Sequence, residues 1–347
     1  MNRPCGTFNR FYAQDMAVVR TRFQWGILIA SIIFLLTLPL FSGGVIISYV
    51  NFIAISVIAV LGLQILLSYC GQISIGQAAF VGVGAYTSAL LSTYLHFPFW
   101  VALPCAGISA GLIGLLFGMP SLRVKGFYLA MATLAAQFII PWLIVNVRAD
   151  ITKGTSSLSV PVPELGGIIF NTQQSMFYII IPVMLLAIFF AKNLVRTRLG
   201  RAFIAIRDND LAAEVMGVDI FRYKLIAFFI CSFYAGIAGC LYAHWMRVIC
   251  VDNFTLMESI WYLGMLIIGG MGSISGAIMG TIFIRLLDIV AKLITPLAGQ
   301  IFPTAMTAVG PTLFGLVIIL FLLYEPRGLA HRWTTFKASY RLWPFSY

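Results

Sequence analysis

The sequence predicts an all-α integral membrane protein, a polytopic helical bundle of about ten transmembrane helices. Of the 347 residues, 61% are hydrophobic and only 10% are charged, whereas a water-facing domain carries about 25% charged residues. From Phe23 to Leu122 there is no Asp, Glu, Lys or Arg. Further charge-free runs cover Gly126–Val147, Leu165–Ala191, Leu225–Met246, Ser259–Ile284 and Leu293–Tyr324. Each is long enough for the ~20 residues that carry a helix across the hydrocarbon core. Irregular backbone cannot face lipid, so these runs are helices, or broken helices buried among helices.

Breakers and turn residues divide the runs into spans. The first, 25–41, follows a basic segment with Arg3, Arg10, Arg20 and Arg22. The hydrophobicity then continues for about a hundred residues, far beyond a signal peptide, so this is a first span. Ser42-Gly43-Gly44 separates it from 46–68, Gly71 from 76–95, and Phe97-Pro98 from 99–119, which Pro120 closes. The fifth span, 127–147, leads into the polar stretch 148–175. Spans 176–192 and 225–246 flank the longest charged loop, 192–224. Gly269–Gly272 divides 257–271 from 275–291, a Gly-rich pair that reads as two crossings or as a re-entrant loop. The last span is 309–324. The resulting organisation is a basic N-terminal segment 1–24, a transmembrane domain 25–324 with loops 193–224 and 148–175 on opposite sides, and a basic tail 325–347.

With ten spans, 17 of the 22 Lys and Arg residues fall on one side, and the positive-inside rule makes that side cytoplasmic, with both termini. The expected location is the cell (inner) membrane. This asymmetry accounts for the net charge of +11 without a nucleic-acid partner. The cysteines at 5, 70, 105, 231, 240 and 250 have no C-x-x-C spacing and read as small core residues. Small residues recur at helical spacing in Gly107-x-x-x-Gly111, Gly114-x-x-x-Gly118 and Gly272-x-x-x-Gly276-x-x-x-Gly280. They permit the close backbone approach on which association in lipid relies, within the chain or in a dimer.

Catalytic chemistry finds no support. His96, His244 and His331 are far apart and form no H-E-x-x-H, so no metal site is expected. There is no G-x-x-x-x-G-K-[ST], so the chain has no P-loop of its own and no cofactor is expected on it. Ion-coupled transport generally uses carboxylates within the membrane. The embedded candidate here is Asp288, at helical spacing from Arg285 and Lys292 and read as a structural ion pair with one of them.

Two segments carry the functional signal. In the loop, Asp208, Asn209 or Asp210 suits the N-cap of a short helix, and Gly217 suits the left-handed position that ends it. Leu211, Val215 and Val218 then share one face. Such a helix either covers its own bundle or docks into a groove on a soluble partner. The second segment concentrates uncharged polar residues: Gln64, Ser68, Tyr69, Gln72, Ser74 and Gln77, with Tyr86 and Thr87 beyond. Gly71 and Gly76 break the helix there, so the amides and hydroxyls line a substrate path or hydrogen-bond between helices, roles that can coexist.

At these residues a resemblance emerges. The stretch Leu67–Tyr86, with Gly71-Gln72, Ser74, Gly76-Gln77 and Gly84-Ala85-Tyr86, is similar to the early signature of the permeases of branched-chain amino acid ABC importers. Gly200–Val218 with Lys224 resembles their cytoplasmic coupling segment, in the longer of the two permease types, with its Arg-Asp-x-x-x-Ala-Ala-Glu loop. Ile268–Gly280 and Glu325-Pro326-Arg327-Gly328-Leu329 resemble two later family stretches, so the likeness covers about 25–330. It implies import of branched-chain amino acids by a heterodimer with a second, related permease. Two cytoplasmic ATPase subunits, which carry ATP and Mg, and an extracytoplasmic substrate-binding protein complete the implied assembly. It also implies an ATPase-coupling role for Arg201, Arg207, Asp208, Asp210, Ala212, Ala213, Glu214 and Gly217. The substrate-path candidates are Gln72, Ser74, Gly76, Gln77 and Tyr86. Urea and short-amide permeases share this architecture, and Lys153 stands where relatives often have a Thr-Gly-Gly-type turn. The alternatives are therefore a urea or amide importer permease, or a facilitator or channel working alone.

Overall fold

The computed structural model describes residues 22–121, 127–147, 149–165, 168–301, 309–325 and 327–342. The chain is an all-α polytopic membrane protein. Its first helices are α1 (Arg22–Phe41), α2 (Gly44–Gln64, continued by a π turn over Ile65–Tyr69), α3 (Gln77–Tyr94), α4 (Phe99–Ser121) and α5 (Phe127–Asn146). A single turn, α6 (Ala149–Thr152), precedes α7 (Gln173–Leu194). The charged loop holds α8 (Arg198–Asp208) and α9 (Asp210–Val215), and α10 (Ile220–Met246) follows. The last helices are α11 (Leu256–Gly269), α12 (Ile274–Ile301), α13 (Val309–Tyr324) and α14 (Gly328–Leu342). Among the described residues, four two-residue strands form two antiparallel pairs: Leu158–Ser159 with Val248–Ile249, and Glu164–Leu165 with Ile168–Ile169.

The long helix α10 is the axis of the bundle, packed against α2, α3 and α4. Its small residues allow this: a Cβ on Gly84 of α3 would collide with the backbone of Gly236, and Gly107, Gly111 and Gly114 of α4 receive Phe233, Phe229 and Ser232 of α10. The G-x-x-x-G spacing in α4 thus serves packing within the chain, as it does where Gly276 and Gly280 of α12 meet Gly269 of α11. Gly272 differs, sitting in the α11–α12 turn at φ +96° with open space around it.

Among the described residues, six helices are long and apolar enough to cross a membrane: α2, α4, α5, α7, α10 and α12. The pair α13–α14, bent by 44°, makes a seventh if it is one span. Helices stand at the ten predicted places, and the described residues do not confirm ten full crossings. The 14 residues of α11 reach about 21 Å, short of a ~30 Å hydrocarbon core. After α10 the chain pairs as a strand at Val248–Ile249 and then turns in through a 3₁₀ turn, Val251–Phe254, before α11 begins. Phe254 is buried against Gly82 of α3, so this segment runs inside the bundle. Asp288 pairs with Lys292 (2.8 Å), one of its two expected partners. Arg285 turns the other way, to Glu258 of α11.

Candidate functional site

The polar break and the charged loop meet at one end of the bundle. The π turn closes at Tyr69, and Gly71 takes φ +72°, a conformation that favours glycine. Its N–H bonds the Leu67 carbonyl and that of Gln72 the Leu66 carbonyl, so the last turn of α2 is satisfied. Residues 72–76 are non-helical, and α3 starts at Gln77 without a side-chain cap of its own.

Distant residues satisfy that helix start. Thr133 Oγ1 accepts from Ile75 N–H (3.0 Å), Ser259 Oγ from Ala78 N–H (2.9 Å) and Gln137 Oε1 from Ala79 N–H (3.0 Å). Ser259 Oγ donates to Gln137 Oε1 (2.8 Å), and Gln137 Nε2 donates to the Phe254 carbonyl (2.8 Å). The first turns of α3 and α11 therefore lie side by side, joined by α5. Thr133, Gln137 and Ser259 carried no sequence signal, because the amides they cap lie 58 or 181 residues away.

The five path candidates divide by what they touch. Gln77 bonds between helices: Nε2 donates to the Ala59 carbonyl (2.8 Å) and Oε1 accepts from Cys231 Sγ (3.2 Å). Gly76 is a contact point, since a Cβ there would lie 2.5 Å from the Thr133 carbonyl oxygen. Gln72 Oε1, Ser74 Oγ and Tyr86 OH are buried with no hydrogen-bond partner among the described residues. Buried polar atoms of folded proteins nearly always have partners, so these three are where water or a polar ligand fits.

In the loop, α8 buries Gly200, Ala202, Phe203 and Ile206 against the bundle and leaves Arg201 exposed. Asn209 is the N-cap of α9, its side chain accepting from Ala212 N–H (3.2 Å). Gly217 at φ +82° ends that helix, where the Val218 N–H bonds the Ala213 carbonyl. Ala213 is buried and Lys224 pairs with Asp210 (2.9 Å), fixing α9 to the foot of α10. Ala212 and Glu214 are exposed. Of the expected apolar face, Leu211 and Val215 are 64% and 87% exposed and only Val218 is half-buried. The helix therefore does not cover its own bundle.

Arg207 joins the two segments. Its Nη1 donates to the Ser68 carbonyl in the π turn (2.9 Å), and its Nε and Nη2 donate to Asp208 Oδ1 (3.0 and 2.8 Å). Its stem lies on Gly71, where a Cβ would come within 3.1 Å of Arg207 Cγ. The π turn is also tied to the α11–α12 turn through Tyr69 OH, which donates to the Gly272 carbonyl (3.2 Å). With its amide turned so that the oxygen faces this turn, Gln64 accepts from Gly272 and Ser273 N–H (3.1 Å each).

Comparison with known proteins follows the same segments. The sequence profile of the family described as "Branched-chain amino acid transport system / permease component" matches residues 45–322. The high-affinity branched-chain amino acid transport system permease protein LivM of Escherichia coli is 34% identical over 254 residues, 66% of this chain and 60% of that protein. A probable branched-chain amino acid transport permease protein LivM of Methanocaldococcus jannaschii is 28% identical over 240 residues, 66% of this chain and 67% of that protein. A probable LivH permease protein of the same archaeon is 25% identical over 280 residues, 79% and 87% of the two chains. No solved structure matches. The profile takes in the break, the loop and the α11–α12 pair together, and the chain belongs to the branched-chain amino acid transport system permease family.

Proposed function

We propose that the chain is the transmembrane permease subunit of a binding-protein-dependent ABC importer that moves branched-chain amino acids into the cell. The observation that carries this reading is the hydrogen bond from Arg207 to the Ser68 carbonyl, which ties the exposed α8–α9 loop to the break that holds the unpartnered Gln72 and Ser74. In this reading the loop faces the cytoplasm, which the positive-inside rule supports. The knob of Leu211 and Val215, with Glu214 beside it, docks on an ATPase subunit, and Arg201, Arg207, Asp208, Asp210, Ala212, Ala213 and Gly217 build and hold it. ATP-driven movement of that subunit shifts α8, and Arg207 passes the shift to the π turn, an element of the kind frequent at functional sites. The path through Gln72, Ser74 and Tyr86 then opens alternately to the two sides. A second, related permease, two ATPase subunits and an extracytoplasmic binding protein complete the importer, and ATP stays on the ATPases.

Deleting the chain and measuring ATP-dependent leucine uptake tests the reading. Uptake should fall to background and return with the wild-type chain. Uptake by the chain alone, with no ATPase subunit present, would favour a stand-alone facilitator.

A further inference from the structure

Among the described residues, the one arginine buried within a span plays no part in the machinery above. Arg285 of α12 has a side chain only 4% exposed. Its Nε donates to Ser56 Oγ of α2 (3.0 Å), its Nη2 to Glu258 Oε2 of α11 (3.3 Å), and its guanidinium lies 3.9 Å from the centre of the Phe52 ring. Phe52 stacks on Trp245 (5.8 Å) and touches Tyr242 (6.4 Å), both from α10. Glu258 lies 11 residues before the end of α11, and Arg285 11 residues after the start of α12. At 1.5 Å per residue, both stand about 16 Å from the turn joining those helices, about half the ~30 Å thickness of a hydrocarbon core.

The two partners differ in exposure. Arg285 is sealed, but the Glu258 side chain is 32% exposed, with the half-buried Tyr242 near it. A carboxylate open at this depth is too costly to face lipid, so what it faces is protein or a water-filled path. Arg285, itself held by Ser56, bonds the carboxylate from behind. The open side combines a negative charge with the nearby Tyr242 ring, and both attract an ammonium ion, whereas Phe52 is already engaged by Arg285 and Trp245.

We propose that Glu258, with Tyr242, forms a midplane contact for the α-ammonium group of an amino acid in transit, and that Arg285 is its positioning residue. The proposal rests on the transport reading above and names the part of the substrate that this chain contacts. A structural ion pair and a substrate contact behave differently when both charges are removed together. A merely structural pair replaced by neutral residues is tolerated, whereas a substrate contact is lost with its carboxylate.

The experiment replaces the chain at its own locus and measures leucine uptake, with the level of the chain in the membrane as control. Glu258→Gln should lower uptake at least tenfold. The double variant Glu258→Gln with Arg285→Met should reach the membrane at wild-type level and stay equally inactive; near wild-type uptake by it would overturn the proposal. A second measurement covers a double variant that fails to accumulate. In Glu258→Cys, a membrane-impermeant, ammonium-bearing thiosulfonate should react above the background of the native cysteines and be slowed by leucine. Lack of that reaction places Glu258 off the path and ends the proposal. Failure of the transport reading itself shows separately, as unchanged leucine uptake when the whole chain is deleted.

Discussion

Arg207 uses a fork of donors that a lysine cannot reproduce: Nη1 on the Ser68 carbonyl while Nε and Nη2 share Asp208 Oδ1. Arg207→Lys should therefore reach the membrane normally and lower uptake several-fold, and Arg207→Ala should lower it further; equal uptake in all three chains would show that the link transmits nothing. Gln137 tests a different bond set, since one amide caps Ala79 and holds both Ser259 and the Phe254 carbonyl. Gln137→Leu leaves those groups unpaired in the interior, at a cost of about 2–4 kcal/mol. The expected readout is a melting temperature in detergent lower by several degrees. Composition and breakers exposed Gln72, Ser74 and Gln77 as a polar cluster, yet nothing local separates Gln77, which is satisfied by Ala59 and Cys231, from Gln72 and Ser74, which are not. That distinction depends on which helix passes by. Glu258 and Arg285 were hidden for the same reason, being 27 residues apart on different helices, whereas Asp288 and Lys292 share a helix face at four-residue spacing.

Among the elements, α9 has six residues, too few for a helix to persist on propensity alone. Its cap, its glycine stop and the Asp210–Lys224 pair hold it. Asn209→Ala should cost about 1 kcal/mol of local stability and lower uptake modestly. Val215→Glu should act differently, because that side chain touches solvent. Burying a Val or Leu contributes about 1.5–3 kcal/mol, so this change should weaken capture of an ATPase subunit at least tenfold while leaving the chain's own melting temperature unchanged. The ends of α9 were legible because caps and αL glycines are local signals. The start of α3 was not, because Thr133, Gln137 and Ser259 cap it from other helices, and the short inward course of Val248–Phe254 carries neither a helical nor an apolar pattern.

At the scale of the whole molecule, hydropathy located the helices well and their crossings less well. Charge-free length measures how much chain is out of water, and α3 and α11 are out of water because neighbours enclose them. What makes the enclosure possible is the tight crossing of α3, α4 and α10 through Gly84, Gly107 and Gly236. Gly84→Val would set a side chain against backbone, which cannot give way as a side chain can. The expected outcome is loss of folded protein from the membrane, in contrast to the uptake-specific losses at Arg207 and Glu258.

The short reach of α11 leaves its column of the bundle half helix and half irregular chain. Helix amides in lipid are locked in their own ladder, while amides of a 3₁₀ turn have fewer internal acceptors and open more readily. In lipid nanodiscs, deuterium should therefore enter at Val251–Phe254 well before it enters the interior of α11. Early exchange there would mark the irregular half of this column as a seam through which solvent enters the bundle.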